Sequence, residues 1–239
     1  MNRSLRIVAA LALAALGACA TETPEGAFKE TATEAPFDLL SSYGFFAQPM
    51  ANLEPSPGVL PYTVASPLWV DHAEKARFLV LPEGKTINFR AEESWDLPLG
   101  TVLIKNFYYA HDFRAPDEGR RIIETRLLVH EQDEWKGYIY LWNAAQTEAS
   151  RIVAGQFVDV SFTHTDGTNV ESVYVVPNSN QCKNCHSNND ISQPIGLVTR
   201  QLNMDTERDD QQINQIRWLA DQDVFSDALP ELAPIPTLA

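Results

Sequence analysis

The chain has 239 residues, of which 44% are hydrophobic and 10% aromatic, so it holds enough apolar material to build a core. The formal net charge of −14 argues against a nucleic-acid partner, because phosphate groups would be repelled, and makes a basic protein the electrostatic complement. Beyond the leader, no apolar stretch approaches the length of a membrane-spanning helix.

Residues 1–19 carry the pattern of an export signal. Arginines precede the apolar run "IVAALALAALGA", which matches a secretory signal peptide. The run ends in "LGAC", as in bacterial lipoproteins, and predicts that Cys19 is lipidated and becomes the new N-terminus. Ala20 follows in place of an aspartate, which favours anchoring at the outer membrane, with the lipid as the only membrane contact. The alternative is an ordinary signal peptide cut nearby, with Cys19 left as a thiol.

Residues 20–35 contain almost no large apolar side chains and predict a flexible tether between the anchor and the folded body. The next stretch, up to about residue 58, has one short apolar segment before a proline-rich loop. This segment predicts a helical turn or two with a packing role.

Residues 36–177 are predicted to form a β-rich domain of the sandwich or barrel type, because short apolar runs alternate with Gly, Pro, Asp and Asn. The runs are "ARFLVLP", "TINFR", "TVLIKNFYY", "RIIETRLLVH", "GYIYLWN", "QFVDVSFT" and "VESVYVV". The last two are joined by "HTDGTN", in which Asp166 and Gly167 suit the positive φ angles of a tight hairpin turn. The alternation in "QFVDVSFT" predicts one buried and one solvated face.

The β-rich domain gives no catalytic assignment. Its aromatic residues fit a sheet core better than a ligand-binding face. Its histidines lie singly, without the spacing of a metal site on one strand or helix. They are His72, His111, His130 and His164. The candidate acids Asp96, Glu124 and Glu148 are not paired by any motif.

The strongest chemical signal is "CKNCH", residues 182–186. In a C-x-x-C-H motif the two thiols, here Cys182 and Cys185, can add to the vinyl groups of one haem. The adjacent histidine, His186, then becomes an axial ligand of the iron. Haem c is attached outside the cytoplasm, in agreement with the export signal, so the motif predicts one covalent haem c.

Other interpretations of the motif explain fewer of its residues. A thioredoxin-like dithiol is expected at a helix start in a βαβ setting, which the sequence lacks. A structural zinc site needs a fourth ligand, and the remaining cysteine, Cys19, lies in the leader. A disulfide between Cys182 and Cys185 is feasible in an oxidising compartment, but it leaves His186 unexplained.

Residues 178–239 are predicted to form a small α-helical haem c segment, which would also lean on the β-rich domain because few residues follow His186. The stretch "PIG", which begins at Pro194, resembles the Pro-x-Gly turn of small cytochromes c, whose proline carbonyl accepts the N–H of the proximal imidazole. Met204 is a candidate for the distal iron ligand. The alternatives are that Met204 packs, or that a histidine of the β-rich domain takes this position.

Farther along, "RDDQQINQIRWLADQD" predicts a helix of about three turns that covers a haem edge. Asp209 or Asp210 would cap it. Its apolar face would consist of Ile213, Ile216, Leu219 and Ala220.

The chain also resembles a family of secreted bacterial proteins described as c-type, often dihaem, cytochromes. The resemblance covers most of residues 40–205. It rests on "LSSYGFFAQP", "VLPYTVASPLWVDHAEKARFLVLP", "WDLPLGTVLIKNFYY", "RRIIETRLLV", "YLWNAAQTEA", "VPNSNQCKNCHSN" and "PIGLVTRQLN". It implies haem c binding through Cys182, Cys185 and His186, and electron transfer. Longer members look as if they continue past a segment like "PELAPIPTLA" into a second C-x-x-C-H module, so a dihaem mechanism is not carried over to this chain.

The sequence therefore predicts a lipid-anchored, periplasm-facing electron carrier with one haem and a redox protein as its partner. A second hypothesis is a haem enzyme with an open iron position that acts on peroxide or another small oxidant. A third is a β-rich domain whose haem has a structural role. The coordination number of the iron distinguishes the first two.

Overall fold

A computed structural model describes residues 36–132, 134–178, 181, 187–188, 191–192, 194–208, 210–233, 235 and 237–238. The protein is mostly β, with 43% strand against 11% helix, and its strands pair antiparallel. The prediction of a mainly β domain is thereby confirmed. Within the described ranges, the helices are too short or too polar to cross a membrane.

The strands of the first sheet are β1 (Val59–Tyr62), β2 (Glu74–Val80), β3 (Val102–Ala110), β4 (Arg120–Glu131), β5 (Glu134–Trp142) and β6 (Ala149–Ile152). The strands that follow are β7 (Gln156–Thr163), β8 (Asn169–Val176), β9 (Ser187–Asn188), β10 (Ile191–Ser192), β11 (Asp205–Arg208) and β12 (Gln211–Asn214). Short 3₁₀ helices span Leu40–Tyr43, Met50–Asn52 and Pro116–Glu118, and α-helices span Thr199–Leu202 and Gln215–Ala220.

Strands β1 to β6 form an open antiparallel meander in which each strand pairs with the next one along the chain. In the described residues no pairing closes β1 onto β6, so this sheet is not a barrel. Edge strand β1 contains Pro61, and the outer edge of β6 is met by the N-terminal segment. There Leu39 bridges to Ser150, and the Arg151 N–H donates to the Asp38 carbonyl at 2.8 Å.

The sheet buries apolar side chains on both faces because neighbouring residues of a strand point to opposite sides. Face A, represented by Phe78, Ile104 and Tyr140, packs against residues 40–53. The short apolar segment predicted there does form 3₁₀ turns, and Tyr43 and Met50 are buried. Face B carries Leu79, Leu103, Phe107 and Ile139 and is covered by later parts of the chain.

Two apolar clusters divide face B. The hairpin β7–β8 covers one end, where Phe107 and Ile139 pack against Val160, Tyr174 and Val176. The C-terminal segment covers the other end, where Leu79 and Leu103 pack with residues such as Leu197, Leu202 and Ile216. We call these the hairpin cluster and the C-terminal cluster. The hairpin β7–β8 thus packs on face B of the first sheet.

The predicted hairpin is confirmed, with a longer turn than expected. Residues 164–168 form the loop, and Gly167 takes the positive φ, at 86°. Asp166 contributes its side chain instead, because its carboxylate accepts the Thr168 N–H at 2.8 Å. Val160 and Phe162 face the core, whereas Phe157 is 80% exposed. Although Phe157 is the first apolar residue of the run "QFVDVSFT", the buried face of this strand does not include it.

Two predictions of local structure are wrong. The run "TINFR" is not a strand; Ile87 and Asn88 form isolated bridges to Phe225 and Asp96. The predicted three-turn helix is a hairpin, β11–β12, followed by one helix of six residues. Asn214 caps this helix, since its side chain accepts the N–H groups of Ile216 and Arg217.

The corrected helix keeps part of its predicted apolar face. Ile216 and Leu219 are buried, whereas Ile213 lies in a strand and is half-buried. Asp210 lies in the turn of the hairpin with φ of 60°, and Asp209 is outside the described residues.

Candidate functional site

The predicted haem ligands Cys182, Cys185 and His186, and the predicted lipidation site Cys19, lie outside the described residues. The structure does describe the chain on both sides of the haem motif. Val176, at the end of β8, is buried in the hairpin cluster, and Leu197 is buried in the C-terminal cluster. The motif therefore lies in the stretch of chain that connects the two clusters of face B.

Pro194 is buried, and Gly196 lies near Val64, since an added Cβ would make an ordinary contact with the Val64 side chain at 3.6 Å. The predicted hydrogen bond from the proximal imidazole to the Pro194 carbonyl stays a prediction, because His186 is outside the described residues. Met204 is half-buried between the helix Thr199–Leu202 and β11. Its carbonyl accepts the Gln215 N–H at 2.9 Å.

Three cations lie side by side across face B. Arg77 on β2 is paired with Lys105 on β3, and Lys105 is paired with Arg126 on β4. We call these three residues the cation row. Directly paired side chains on neighbouring strands lie within roughly 5.5 Å at Cβ, and like charges at that distance destabilise a sheet. The pairing therefore brings three cations together on face B, one of which, Arg126, forms an ion pair with Glu124.

The cation row lies at the boundary of the two apolar clusters. On β2, Arg77 precedes Leu79 of the C-terminal cluster by two positions. On β3, Lys105 lies between Leu103 of the C-terminal cluster and Phe107 of the hairpin cluster. Arg77 is only 9% exposed, and burial lowers the pKa of its guanidinium, opposed by the charges of Tyr62, Glu74 and Tyr108.

A buried carboxylate supports one end of the row. Glu124 is 0% exposed and receives two hydrogen bonds from Arg126, at 2.6 and 3.0 Å. The Tyr174 hydroxyl donates a third to Glu124, at 2.6 Å. The Arg126 guanidinium also lies 4.3 Å above the Phe107 ring centre. Burial, together with the Glu124 charge, raises the pKa of Tyr174 above its usual range, so this hydroxyl stays a donor.

A cavity of about 400 Å³ opens beside the row, between β2, the loop before it and the tip of the β7–β8 hairpin. Arg77 and Lys75 reach it from the sheet. The remaining lining residues are Thr63, Pro67, Leu68, Trp69, His72, Ala73, Glu74, Phe113, His164 and Thr165.

The cavity brings together two histidines that are far apart in the sequence. The rings of His72 and His164 are 5.3 Å apart, and the His72 ring also lies 5.5 Å from that of Trp69. Asp71 and His72 both have positive φ, at 42° and 64°, which is uncommon for residues with side chains. The Tyr109 hydroxyl donates to the Asp71 carbonyl at 2.7 Å and so braces this turn.

The other candidate residues are separate. His130 stacks on Trp135 at 4.5 Å, and the tip of His111 packs against Gly119. Asp96 pairs with Arg90 on the surface, and Glu148 accepts hydrogen bonds from Ser41. Among the described residues, no group of three or more His, Cys, Asp and Glu side chains is arranged to hold a metal ion.

The hydrogen bond from Tyr109 to the Asp71 carbonyl predicts that the stabilising effect of this hydroxyl decreases at high pH. Burial, with a contribution from Asp71, raises the pKa of the Tyr109 hydroxyl to about 12. Between pH 10 and 12 the unfolded chain loses this proton and the folded chain keeps it, so the free energy of unfolding falls as pH rises. At pH 7, Tyr109→Phe should be less stable by about 1 kcal/mol, because the Asp71 carbonyl loses its donor.

Toward pH 12 the difference between Tyr109→Phe and the wild type should shrink, because the variant has no proton to lose at this position. Urea unfolding of both proteins at pH 7, 10 and 12 measures this difference in the free energy of unfolding. A difference that is constant with pH would contradict the assignment.

Comparisons with known proteins found no matching family model, no matching curated protein and no matching solved structure. The expectation of a haem site therefore rests on the motif in the sequence.

Proposed function

We propose that this chain is an exported c-type cytochrome that carries one haem, bound covalently to Cys182 and Cys185, with His186 as the proximal iron ligand and Pro194 supporting that histidine. The observation that carries the proposal is the pentapeptide "CKNCH", in which each of the three reactive side chains acquires a role. A bound haem would supply an iron that accepts one electron from a reduced partner and gives one to an oxidised partner.

The described surroundings of the motif suit a haem. The haem ring is largely apolar. The chain before the motif enters an apolar cluster at Val176, and the chain after it enters another at Leu197, so apolar side chains are available on both sides. Residues 178–239 would then form the haem c segment, resting on face B of the β-rich domain.

The location follows from the N-terminal sequence. Residues 1–19 would direct export, Cys19 would carry the lipid that anchors the protein at the outer membrane, and residues 20–35 would be the tether. The redox partner is a protein, and a basic one would be attracted by the net charge of −14.

A second candidate function is a haem enzyme that acts on peroxide or another small oxidant. The cavity favours it, because His72 and His164 lie beside Trp69 and could serve a small molecule with hydrogen bonds. The two functions differ at the sixth position of the iron. A carrier fills that position with a side chain, and an enzyme leaves it open.

Absorption spectra of the purified holo-protein test the proposal. We expect low-spin spectra in the oxidised and reduced forms, and no rapid change when carbon monoxide is added to the reduced form, because a side chain fills the sixth position. Met204→Ala should become five-coordinate if Met204 is the ligand. His72→Ala and His164→Ala test in the same way whether a histidine of the cavity is the sixth ligand.

Rapid binding of carbon monoxide by the wild type, together with turnover of peroxide, would contradict the electron-carrier function and support the haem enzyme. An unchanged spectrum in Met204→Ala would exclude Met204 and leave the carrier function in place.

A further inference from the structure

The cavity beside β2 contains a buried cation. Arg77 lines this cavity and is only 9% exposed. Its one described hydrogen bond is long, at 3.4 Å from Nη1 to the Lys75 carbonyl, and in the described part of the chain no carboxylate forms an ion pair with it. Because a buried charge is costly unless an opposite charge lies close to it, this guanidinium suits an anion that enters the cavity.

Two carboxylates near the cavity are directed elsewhere. Glu74 also lies on β2, but the alternation of side chains along the strand places it on face A with Phe78. Asp166, in the β7–β8 loop, has its carboxylate 3.4 Å from Nδ1 of His164 and accepts a backbone N–H of the same loop. Neither carboxylate therefore fills the place of an anion beside Arg77.

Lys75 adds a second positive charge to the cavity wall. It lies two positions before Arg77, so both side chains are on face B. Its ammonium donates to the Ala73 carbonyl at 2.8 Å, and Ala73 also lines the cavity. The sheet side of the cavity is therefore electropositive.

The other walls of the cavity are largely apolar. Trp69 and Leu68 line it and are both well exposed to solvent, with Trp69 at 66%. Phe113 is half-buried and contributes a second aromatic ring. Small-molecule sites are typically cavities of about 300–1,000 Å³ with mostly apolar walls and a few polar groups that fix the orientation of the ligand. This cavity, at about 400 Å³, has that size and that division of its walls.

We propose that the cavity binds a small organic molecule that has one carboxylate and an apolar body. The carboxylate would accept two parallel hydrogen bonds from the Arg77 guanidinium, and the Lys75 ammonium would act as a point charge beside it. The apolar body would pack against Trp69 and Phe113. A bare phosphate ion would leave these apolar walls uncovered. All residues of this site belong to the described β-rich domain, so binding does not depend on the haem.

Isothermal titration calorimetry of the purified full chain, with benzoate and hexanoate as probes, tests the site. We expect both to bind, and benzamide, which has the shape of benzoate without its charge, to bind about tenfold more weakly or worse. Arg77→Gln should weaken benzoate binding roughly ten- to hundredfold, because hydrogen bonds to a charged group are lost. Arg77→Lys keeps the charge and should retain part of the affinity. Lys136→Gln is the matched control, since this cation pairs with Glu131 and Glu134 and does not line the cavity.

Trp69→Ala tests the apolar wall. It should weaken the binding of benzoate and of hexanoate, because both lose an apolar contact. Leu99→Ala is the control, since Leu99 is also an exposed apolar residue but does not line the cavity. If Arg77→Gln does not fold, Trp69→Ala decides the matter, because an exposed side chain contributes little to the core.

Three results would overturn the inference. The first is that neither benzoate nor hexanoate binds. The second is that benzamide binds as tightly as benzoate, or that either Arg77→Gln or Trp69→Ala, when folded, keeps the wild-type affinity. The third is that inorganic phosphate binds as tightly as benzoate and loses its affinity in Arg77→Gln, because the cavity would then accept a bare anion. Benzoate binding that falls in both variants, with weaker phosphate binding, supports the organic carboxylate.

Discussion

The double variant Cys182→Ala/Cys185→Ala, exported from cells that contain a cytochrome c assembly system, is expected to lose its covalent haem completely. Both thioether bonds would be absent, so nothing would retain the haem under denaturing conditions. Electrophoresis with haem-peroxidase staining measures the loss, and the wild type should give a stained band at the mass of the processed chain. His186→Ala should keep some attachment but lose the native low-spin spectrum, because the iron lacks its proximal ligand.

Cys19→Ser is the control for this experiment, since it removes the remaining cysteine of the chain. It should keep the stain and the spectrum, and it should move the protein from the membrane to the soluble fraction. A colourless band from correctly exported wild type would contradict the haem proposal.

The second large effect is expected for Arg126→Met. Removal of this guanidinium leaves the Glu124 carboxylate, which is 0% exposed, with the Tyr174 hydroxyl as its remaining described donor. Breaking a buried pair by removing one partner costs about 3–5 kcal/mol. We expect a loss near the lower end, about 3 kcal/mol, because the Arg126 side chain is itself 30% exposed. Urea unfolding of the holo-protein at pH 7 measures this loss.

Arg90→Met is the matched control for Arg126→Met. Arg90 also forms a 2.6 Å ion pair, with Asp96, but both side chains are about half exposed to solvent. Ion pairs on the surface contribute little to stability, so the loss should be much smaller. Equal losses in the two variants would show that burial of Glu124 has no special role.

The sequence predicts most of the sheet because long strands carry a strong local signal. Runs such as "TVLIKNFYY" and "RIIETRLLVH" combine β-branched and aromatic residues over nine or more positions and are strands β3 and β4. The short edge strands β1 and β6 carry no such signal, since Pro61 interrupts one and Ser150 and Arg151 make the other polar. Their structure comes from pairing with a longer neighbour.

The error in the C-terminal segment has a different origin. The spacing of Ile216 and Leu219 is helical and is observed, but Ile213 is the one apolar residue between Arg208 and Asn214, so the helical periodicity is weak there. A polar stretch can extend a helix or form a hairpin, and here its pairing selects the hairpin β11–β12.

The site was only partly predictable for a related reason. "CKNCH" is contiguous, so its chemistry can be read from the sequence. The cation row is assembled by register. A single cation does lie inside each of three apolar runs, "ARFLV", "LIKNF" and "ETRLL", and this was the available signal. Whether these cations share a face depends on the pairing of β2, β3 and β4, which local patterns do not determine.

The two edges of the meander also bear on solubility. An open sheet normally offers unpaired backbone groups on which another chain can add a strand, and this is a route to aggregation. Here β1 is four residues long and includes Pro61, which has no N–H to donate, and residues 38 and 39 occupy part of the outer edge of β6. If the proposed lipid anchor concentrates the protein at a membrane surface, copies of the chain would meet often, and these two edges would offer few free backbone groups for an added strand.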